Sequence, residues 1–202
     1  MSRSPWVVAA VAGVLVLGLV GVLVYEAGRT PDPSLTFPVT WSTSPAGGQE
    51  RQGDLEEEEN ETFTFQLGSP NVTSVQVALT WTDDSGDPDR FNLSVVGPDG
   101  IEPVRRNGSN GSVVLRIPVA PVPTVEQAQG PSRDRVEASL ARSHASSAGV
   151  GGWQVTVGLE DAPGQRPVPQ AQDLETQPDG SNSFVLTFSY TVYRAQVADP
   201  TV

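Results

Sequence analysis

The stretch LTWTDDSGDPDRFNLSVVGPDG, from Leu79 to Gly100, contains the end of one alternating apolar–polar run, an acidic loop and a second run. Residues two apart on a β-strand share a face, so each run places its apolar side chains on one side. Those side chains are Val75, Val77, Leu79 and Trp81 in the first run, which begins upstream in VTSVQVALTWT, and Phe91, Leu93 and Val95 in the second. A Gly-Pro-Asp-Gly turn follows at residues 97–100. The stretch therefore predicts a strand, a loop, a second strand and a turn.

The same alternation recurs along most of the chain. It is found in FTFQL, SVVLRIPV, Trp153–Leu159 and Phe184–Tyr193, and a further strand is expected from Leu35 to Trp41. Gly, Pro, Asn and Asp separate these runs, as is typical of antiparallel sheets. About seven or eight short strands of this kind predict an all-β fold, an antiparallel β-sandwich.

Three segments break the alternation. Residues 42–61 are rich in Gly and Glu and predict a loop, in which the acidic run Glu56–Glu59 is solvated. The segment Ser132–Gly149 has apolar residues at i and i+4, which predicts one short helix inserted between strands. The segment Ala162–Gly180 contains four prolines and few apolar residues, so it predicts a long surface loop.

The composition limits the partners that this protein can have. The formal net charge is −12, and all twelve basic residues are arginine. Such a surface repels nucleic acid and anionic lipid, so neither is expected as a partner. The absence of cysteine excludes disulfides, thiol catalysis and cysteine-ligated metal sites. An acidic chain with arginine and no lysine also favours a prokaryotic source.

The N-terminal segment from Trp6 to Tyr25, WVVAAVAGVLVLGLVGVLVY, carries no charge. As a helix it would be about 30 Å long, which matches the hydrocarbon core of a bilayer. Its two ends are aromatic, and the membrane interface favours such residues. The alternative is a signal peptide cut after Ala27, although such peptides have shorter apolar regions and small residues before the cut. We therefore expect a single transmembrane helix that anchors the chain in the cell membrane.

The asparagines indicate which side of the membrane the domain occupies. Five of the six lie in Asn-x-Ser/Thr sequons, which are acceptors for N-glycosylation on extracytoplasmic surfaces. These are Asn60, Asn71, Asn92, Asn107 and Asn110. We therefore expect a glycoprotein with its N-terminus inside. Its expected parts are a cytoplasmic N-terminus (1–5), the transmembrane helix (6–25), a stalk (26–34), the extracytoplasmic sandwich (35–195) and a tail (196–202).

Several motifs in the strands occur in the order of a known group. TWTDDSGDPDRFNLSVVGPDG resembles the strand–acidic loop–strand of the P-domain and prepeptidase C-terminal domain group, jelly-roll-like β-sandwiches usually appended to secreted proteases. The matching residues are Trp81, Asp83, Pro98-Asp99-Gly100, Gly152-Trp153-Gln154-Val155-Thr156-Val157 and the final strand Phe184–Tyr193. This resemblance implies a jelly-roll-like sandwich. The group's D-L-D-L strand here reads Arg90-Phe91-Asn92-Leu93, so both of its acids are replaced.

The acidic loop is the candidate metal site. Asp83, Asp84, Asp87 and Asp89 lie within seven residues of one another. Calcium is bound by six to eight oxygens, which aspartate side chains and loop carbonyls can supply. Asp and Gly are also the residues that any hairpin loop favours, so a plain solvated turn is the alternative.

The sequence favours a protein without enzymatic activity. His144 is the only histidine, and the chain contains no Gly-x-Ser-x-Gly nucleophile elbow. We expect a non-catalytic, membrane-anchored β-sandwich that acts as a binding or accessory subunit at the cell surface, with a protein as its partner and no cofactor unless the acidic loop binds calcium. The alternatives are a calcium-stabilised module that assists a secreted or surface protease, and a pilin-like filament subunit.

Overall fold

The computed structural model describes residues 34–82, 88–163, 165–167, 176–178 and 180–200. The predicted transmembrane helix and most of the acidic loop, residues 83–87, lie outside these ranges. Among the described residues, no helix is long and apolar enough to span a bilayer.

Eleven strands and one helix make up the described part of the chain. They are β1 (Leu35–Glu56), β2 (Asn60–Leu67), β3 (Val72–Trp81), β4 (Arg90–Val96), β5 (Val104–Gly108), β6 (Ser112–Pro118), β7 (Gln127–Gly130), α1 (Arg133–Ser143), β8 (Gly151–Asp161), β9 (Gln165–Pro167), β10 (Thr176–Pro178) and β11 (Ser181–Val197). One sheet has the strand order β6-β3-β11-β1-β7, and a second has the order β2-β8-β4-β5. Strands β9 and β10 form a separate two-stranded hairpin.

The strand pairs are nested along the chain. β4 pairs with β5, β3 with β6, β2 with β8, and β1 with β11, all antiparallel. The β1–β11 and β3–β6 pairs lie in the five-stranded sheet. The β2–β8 and β4–β5 pairs lie in the four-stranded sheet. A long hairpin folded over into two sheets in this way is a jelly roll. The predicted all-β, jelly-roll-like sandwich is therefore confirmed, and its four nested pairs contain eight strands.

The core lies between the two sheets. The alternation predicted for β3 and β4 is confirmed, since every second side chain in each of these strands is buried. Phe65 of β2 stacks on Phe188 of β11 with ring centroids 4.6 Å apart and an interplanar angle of 6°. Trp153 of β8 meets the same Phe188 edge-on at 6.0 Å, and its indole N–H donates to the carbonyl of Gly149. These rings join one sheet to the other.

A second, smaller cluster lies under the helix. Ser132 caps α1, because its hydroxyl accepts the N–H of Arg135 at 3.4 Å. Val136 and Leu140 are buried against the beginning of β1 and the end of β11. The predicted inserted helix is thus confirmed, and it covers the end of the five-stranded sheet.

The loop predicted for residues 42–61 is wrong, because β1 continues to Glu56 and β2 begins at Asn60. Every residue from 43 to 52 is exposed, so this part of β1 carries no apolar alternation. A β-bulge between Pro45 and Gly47 accommodates the proline. A side chain at Gly53 would lie 2.7 Å from the ring of Phe184, so the glycine allows close packing. The acidic residues Glu56–Glu59 are exposed at the turn into β2.

Two other predictions of segment boundaries differ from the structure. Within the segment Ala162–Gly180, which was expected to be a loop, the short strands β9 and β10 pair with each other. The last strand is longer than the expected Phe184–Tyr193, because β11 runs from Ser181 to Val197. β11 pairs with β1 over nearly its whole length, and this pairing extends the strand beyond its apolar run.

We predict that Phe188→Ala lowers the free energy of unfolding by about 3–5 kcal/mol, because it removes the ring between Phe65 and Trp153 and leaves a cavity. Thr187→Ala, on the outward face of the same strand, should change it by less than about 0.5 kcal/mol. Urea unfolding followed by tryptophan fluorescence measures both. Equal effects of the two substitutions would contradict the assignment of this core.

Candidate functional site

The acidic loop is described only from residue 88 onward, so Asp83, Asp84 and Asp87 lie outside the described residues. Asp89 is fully buried, and the side-chain amide of Asn182 donates a hydrogen bond to its carboxyl group. Among the described residues, no three acidic or histidine side chains are grouped to hold a metal ion. The calcium site stays a prediction, while Asp89 itself contacts the beginning of β11.

The Asp89–Asn182 pair joins the loop before β4 to the beginning of β11. A buried carboxyl group is costly unless hydrogen bonds satisfy it, so this pair fixes how the loop enters the sandwich. Nearby, Ser183 donates to Asp54 in the same manner, but this second pair is exposed on the outer face. The two pairs provide a matched comparison of a buried and a solvated contact.

We predict that Asn182→Ala lowers the free energy of unfolding by about 1–3 kcal/mol, because it removes a buried donor to a carboxyl group. Ser183→Ala should lower it by less than about 0.5 kcal/mol, since its contact is solvated. Thermal unfolding of both variants, with and without calcium, measures the difference. A loss that appears only when calcium is present would show that Asn182 acts through a metal site instead.

Three of the five sequon asparagines form one row across the four-stranded sheet. Asn60 of β2 is paired with Gly158 of β8, Gly158 with Asn92 of β4, and Asn92 with Asn107 of β5. The neighbours of Asn92 in β4 are buried on the inner face, so Asn92 lies on the outer face. Asn60 and Asn107 are exposed. The sequence did not reveal this row, because it depends on the register of four strands.

Gly158 is the point in the row that lacks a side chain. A Cβ atom at this position would lie 2.1 Å from Oδ1 of Asn60, because the side chain of Asn60 extends over β8. Position 158 must therefore be glycine for Asn60 to keep this place.

A polar network surrounds the other end of the row. Arg105 donates to Oδ1 of Asn92 at 3.0 Å and to Glu160 at 2.9 Å. The side-chain amide of Asn107 donates to Glu160 at 2.7 Å. At the Asn60 end, Thr62 and Thr156 are paired in the adjacent row. Their hydroxyl groups lie 2.8 Å apart. This face is hydrophilic and holds its asparagines in fixed positions.

Asn71 differs from the other four sequon asparagines. Its φ angle is 64°, in the left-handed region that asparagine tolerates better than most residues. Its side-chain oxygen accepts the N–H of Ser146 at 2.9 Å, and its own N–H donates to the carbonyl of Ser146. Asn71 therefore has a structural role at the corner between β2 and β3. Asn110, by contrast, is exposed in the turn between β5 and β6.

A groove of about 780 Å³ lies between α1 and the end of β11. Trp41, His144 and Tyr193 form an aromatic cluster in its wall, with Trp41 meeting the other two rings edge-on at 5.4 and 5.7 Å. Trp41 is only half-buried, whereas Trp81 and Trp153 are buried in the core. Sequence reasoning missed this cluster, because its members are far apart in the chain.

His144 has its place at the end of the helix. It is the C-cap of α1, and its N–H donates to the carbonyl of Leu140. Its carbonyl accepts the hydroxyl of Tyr193 at 2.6 Å. The imidazole is half-buried against Trp41, so the side chain belongs to the aromatic cluster.

Charges of both signs lie along the groove. Arg133 donates to Glu137 at 3.0 Å, and this contact raises the pKa of Arg133 above its usual range. Arg194 and Asp199 line the same groove. The two arginines balance the two acids, which contrasts with the strong negative charge of the whole chain.

Burial raises the pKa of the Tyr193 phenol above its ordinary value of 10.0. The fold therefore favours the neutral phenol, which also donates to His144. Its contribution to stability is fully present below about pH 10, the pKa of the unfolded chain, and is lost as the pH rises through the higher pKa of the folded state.

We predict that Tyr193→Phe lowers the free energy of unfolding by about 1 kcal/mol at pH 7, because the hydrogen bond to His144 is lost. Above pH 10 the difference between the wild type and the variant should shrink, since only the wild type titrates at this position. Urea unfolding at pH 7, 9 and 10.5 measures this difference. A difference that stays constant up to pH 10.5 would contradict a buried, neutral phenol.

No protein-family model matches this chain, and no curated protein sequence matches it. Some solved structures show a similar arrangement of strands. A rhinovirus-B5 structure is 12% identical over 72% of this chain with a TM-score of 0.34, and this chain spans 65% of that one. A structure of sacbrood virus of honeybee is 12% identical over 82% of this chain and 74% of that chain, also with a TM-score of 0.34.

A third similar structure is the complex of an Aeromonas sobria serine protease and its chaperone. It is 16% identical over 86% of this chain and 29% of the other, with a TM-score of 0.30. All three TM-scores are below 0.5, so these likenesses assign neither a family nor a function to this chain.

Proposed function

We propose that this protein is a non-catalytic β-sandwich held on the outer side of a cell membrane, where it acts as a binding or accessory subunit. The observation that carries this proposal is the row of Asn60, Asn92 and Asn107 on one outer face. In a strand, the asparagine and the hydroxyl residue of a sequon share a face, so both are presented outward together. A face of this kind suits N-glycans in an extracytoplasmic protein.

The proposed mechanism is tethering. The apolar segment 6–25 would anchor the chain, and the stalk 26–34 would hold the sandwich close to the membrane. Glycans on the four-stranded sheet would keep that face in solvent. The helix, the groove beside it and the strand-connecting loops would then provide the contact surface for a protein partner.

The chemistry of the groove favours binding over catalysis. Its histidine packs edge-on against Trp41, and its tyrosine hydroxyl donates to a main-chain carbonyl. Its charged pair, Arg133 and Glu137, is satisfied internally. These contacts give a preorganised surface of aromatic and balanced charged groups, which is typical of recognition.

We expect intact mass spectrometry of the protein from its native membrane to show a full-length N-terminus with added glycan mass. Asn60→Gln, Asn92→Gln and Asn107→Gln should each remove the mass of one glycan. Thr62→Ser keeps the sequon of Asn60 at an exposed position, so it is the control and should leave the glycan mass unchanged. Proteinase added to intact cells should release the sandwich domain.

Two outcomes would contradict this proposal. A chain that begins near Gly28 would show that the apolar segment is a cleaved signal, and tethering would be wrong. A full-length chain without glycan, protected from proteinase in intact cells, would place the domain on the inner side of the membrane.

A further inference from the structure

The last strand of the sandwich is longer than its neighbour. β3 begins at Val72, which is paired with Val192, whereas β11 continues to Val197. The N–H of Tyr193 still has a partner on this side, the carbonyl of Asn71 at 3.0 Å. Asn71, in its left-handed conformation, is the last residue to cover β11 here, since the chain before it turns away toward β2. From Arg194 onward, no described strand lies beside this edge of β11.

Main-chain groups on a strand alternate between its two sides. Ala198 donates its N–H to Pro38 of β1, so even-numbered residues in this part of β11 face β1. Tyr193 donates to Asn71 on the opposite side, so odd-numbered residues face the groove. The N–H and C=O groups of Ala195 therefore point into it, and those of Val197 lie on the same side of the strand, where Val197 is 2% exposed. Among the described residues, no hydrogen bond reaches these groups on the groove side.

The groove has the form of a slot beside a strand edge. Residues 193–199 of the chain line one wall without interruption, which fits the edge of a strand seen from the side. The opposite wall is one face of α1, with residues spaced at i, i+4, i+7 and i+8, namely Arg133, Glu137, Leu140 and Ala141. The strand wall is about 20 Å long at about 3.3 Å per residue. A slot of this length accommodates an extended segment of about six residues.

We propose that this slot binds an extended polypeptide segment of a protein partner, which adds to the five-stranded sheet as a strand beside β11. The segment's main chain pairs with Ala195, as in recognition by β-strand addition. Its alternate side chains face the cluster of Trp41, His144 and Tyr193, which selects apolar residues at those positions. The balanced charges of the slot select a segment without net charge. This inference rests on the proposed binding role and specifies its partner class.

The test is amide hydrogen exchange on the full-length chain in detergent, followed by NMR. In the free protein, the amide of Ala195 should exchange at least tenfold faster than those of Arg194 and Gln196, whose N–H groups face β1. The probe is the blocked hexapeptide acetyl-Thr-Val-Ser-Leu-Thr-Ser-amide. It should slow exchange at Ala195 and leave Arg194 and Gln196 unchanged. The same peptide with alternate amides methylated on nitrogen should have no effect.

Ala195→Pro is the decisive variant, because proline removes the N–H that faces the slot. Proline is tolerated on an open strand edge, and this N–H is not part of the β1–β11 ladder. We expect it to weaken peptide binding about tenfold or more. Ala195→Ser keeps the N–H and is the matched control, with binding close to that of the wild type. The methylated peptide provides the same test on the unaltered chain if Ala195→Pro fails to fold.

Three results would overturn this inference. Slow exchange at Ala195 in the free chain would mean that the edge is already covered, by another part of the chain or, if the protection depends on concentration, by a second copy. Equal binding of the native and the methylated peptide would exclude strand addition. No protection at saturating native peptide would exclude an extended partner. None of these results bears on the glycan and topology measurements, so a failure here is distinguishable from a failure of the membrane role.

Discussion

The stacked rings of Phe65 and Phe188 are the contact on which this sandwich depends. They come from different sheets, and Trp153 packs edge-on against the same phenylalanine. A chain without cysteine has no covalent link between its sheets, so their separation and register rest on such packing. The outer faces are then free to carry polar groups. The asparagine row on one sheet and the groove at the end of the other both depend on this division.

The fold could be predicted where burial imposes a period of two. Every second residue from Val75 to Trp81 and from Phe91 to Val95 faces the core, and this alternation was visible in the sequence. β1 could not be predicted over its full length, because residues 43–52 are exposed on both faces and contribute nothing to the core. Its Pro45 and Gly53 are typical of loops. In the structure they are at a bulge and against an aromatic ring, where tertiary pairing with β11 overrides local preference.

The candidate sites could be predicted only in part, for a similar reason. The sequons were visible, but their alignment depends on the register of β2, β8, β4 and β5. The inward position of Asp89 depends on Asn182, which is far away in the chain. The groove joins Trp41, His144 and the end of β11, and no local pattern marks such a meeting of distant segments. A sequence pattern indicates which face of a strand or helix a residue occupies. A site forms where the faces of distant segments meet in the fold.

The position of β11 also determines when the molecule can fold. This strand lies between β1 and β3 and carries Phe184, Leu186 and Phe188 into the core, yet it follows every other described strand in the chain. Its pairing with β1 closes a loop of more than one hundred residues. Contacts between residues so far apart in the sequence form slowly. The nascent chain cannot complete this core until residues 181–197 have emerged from the ribosome.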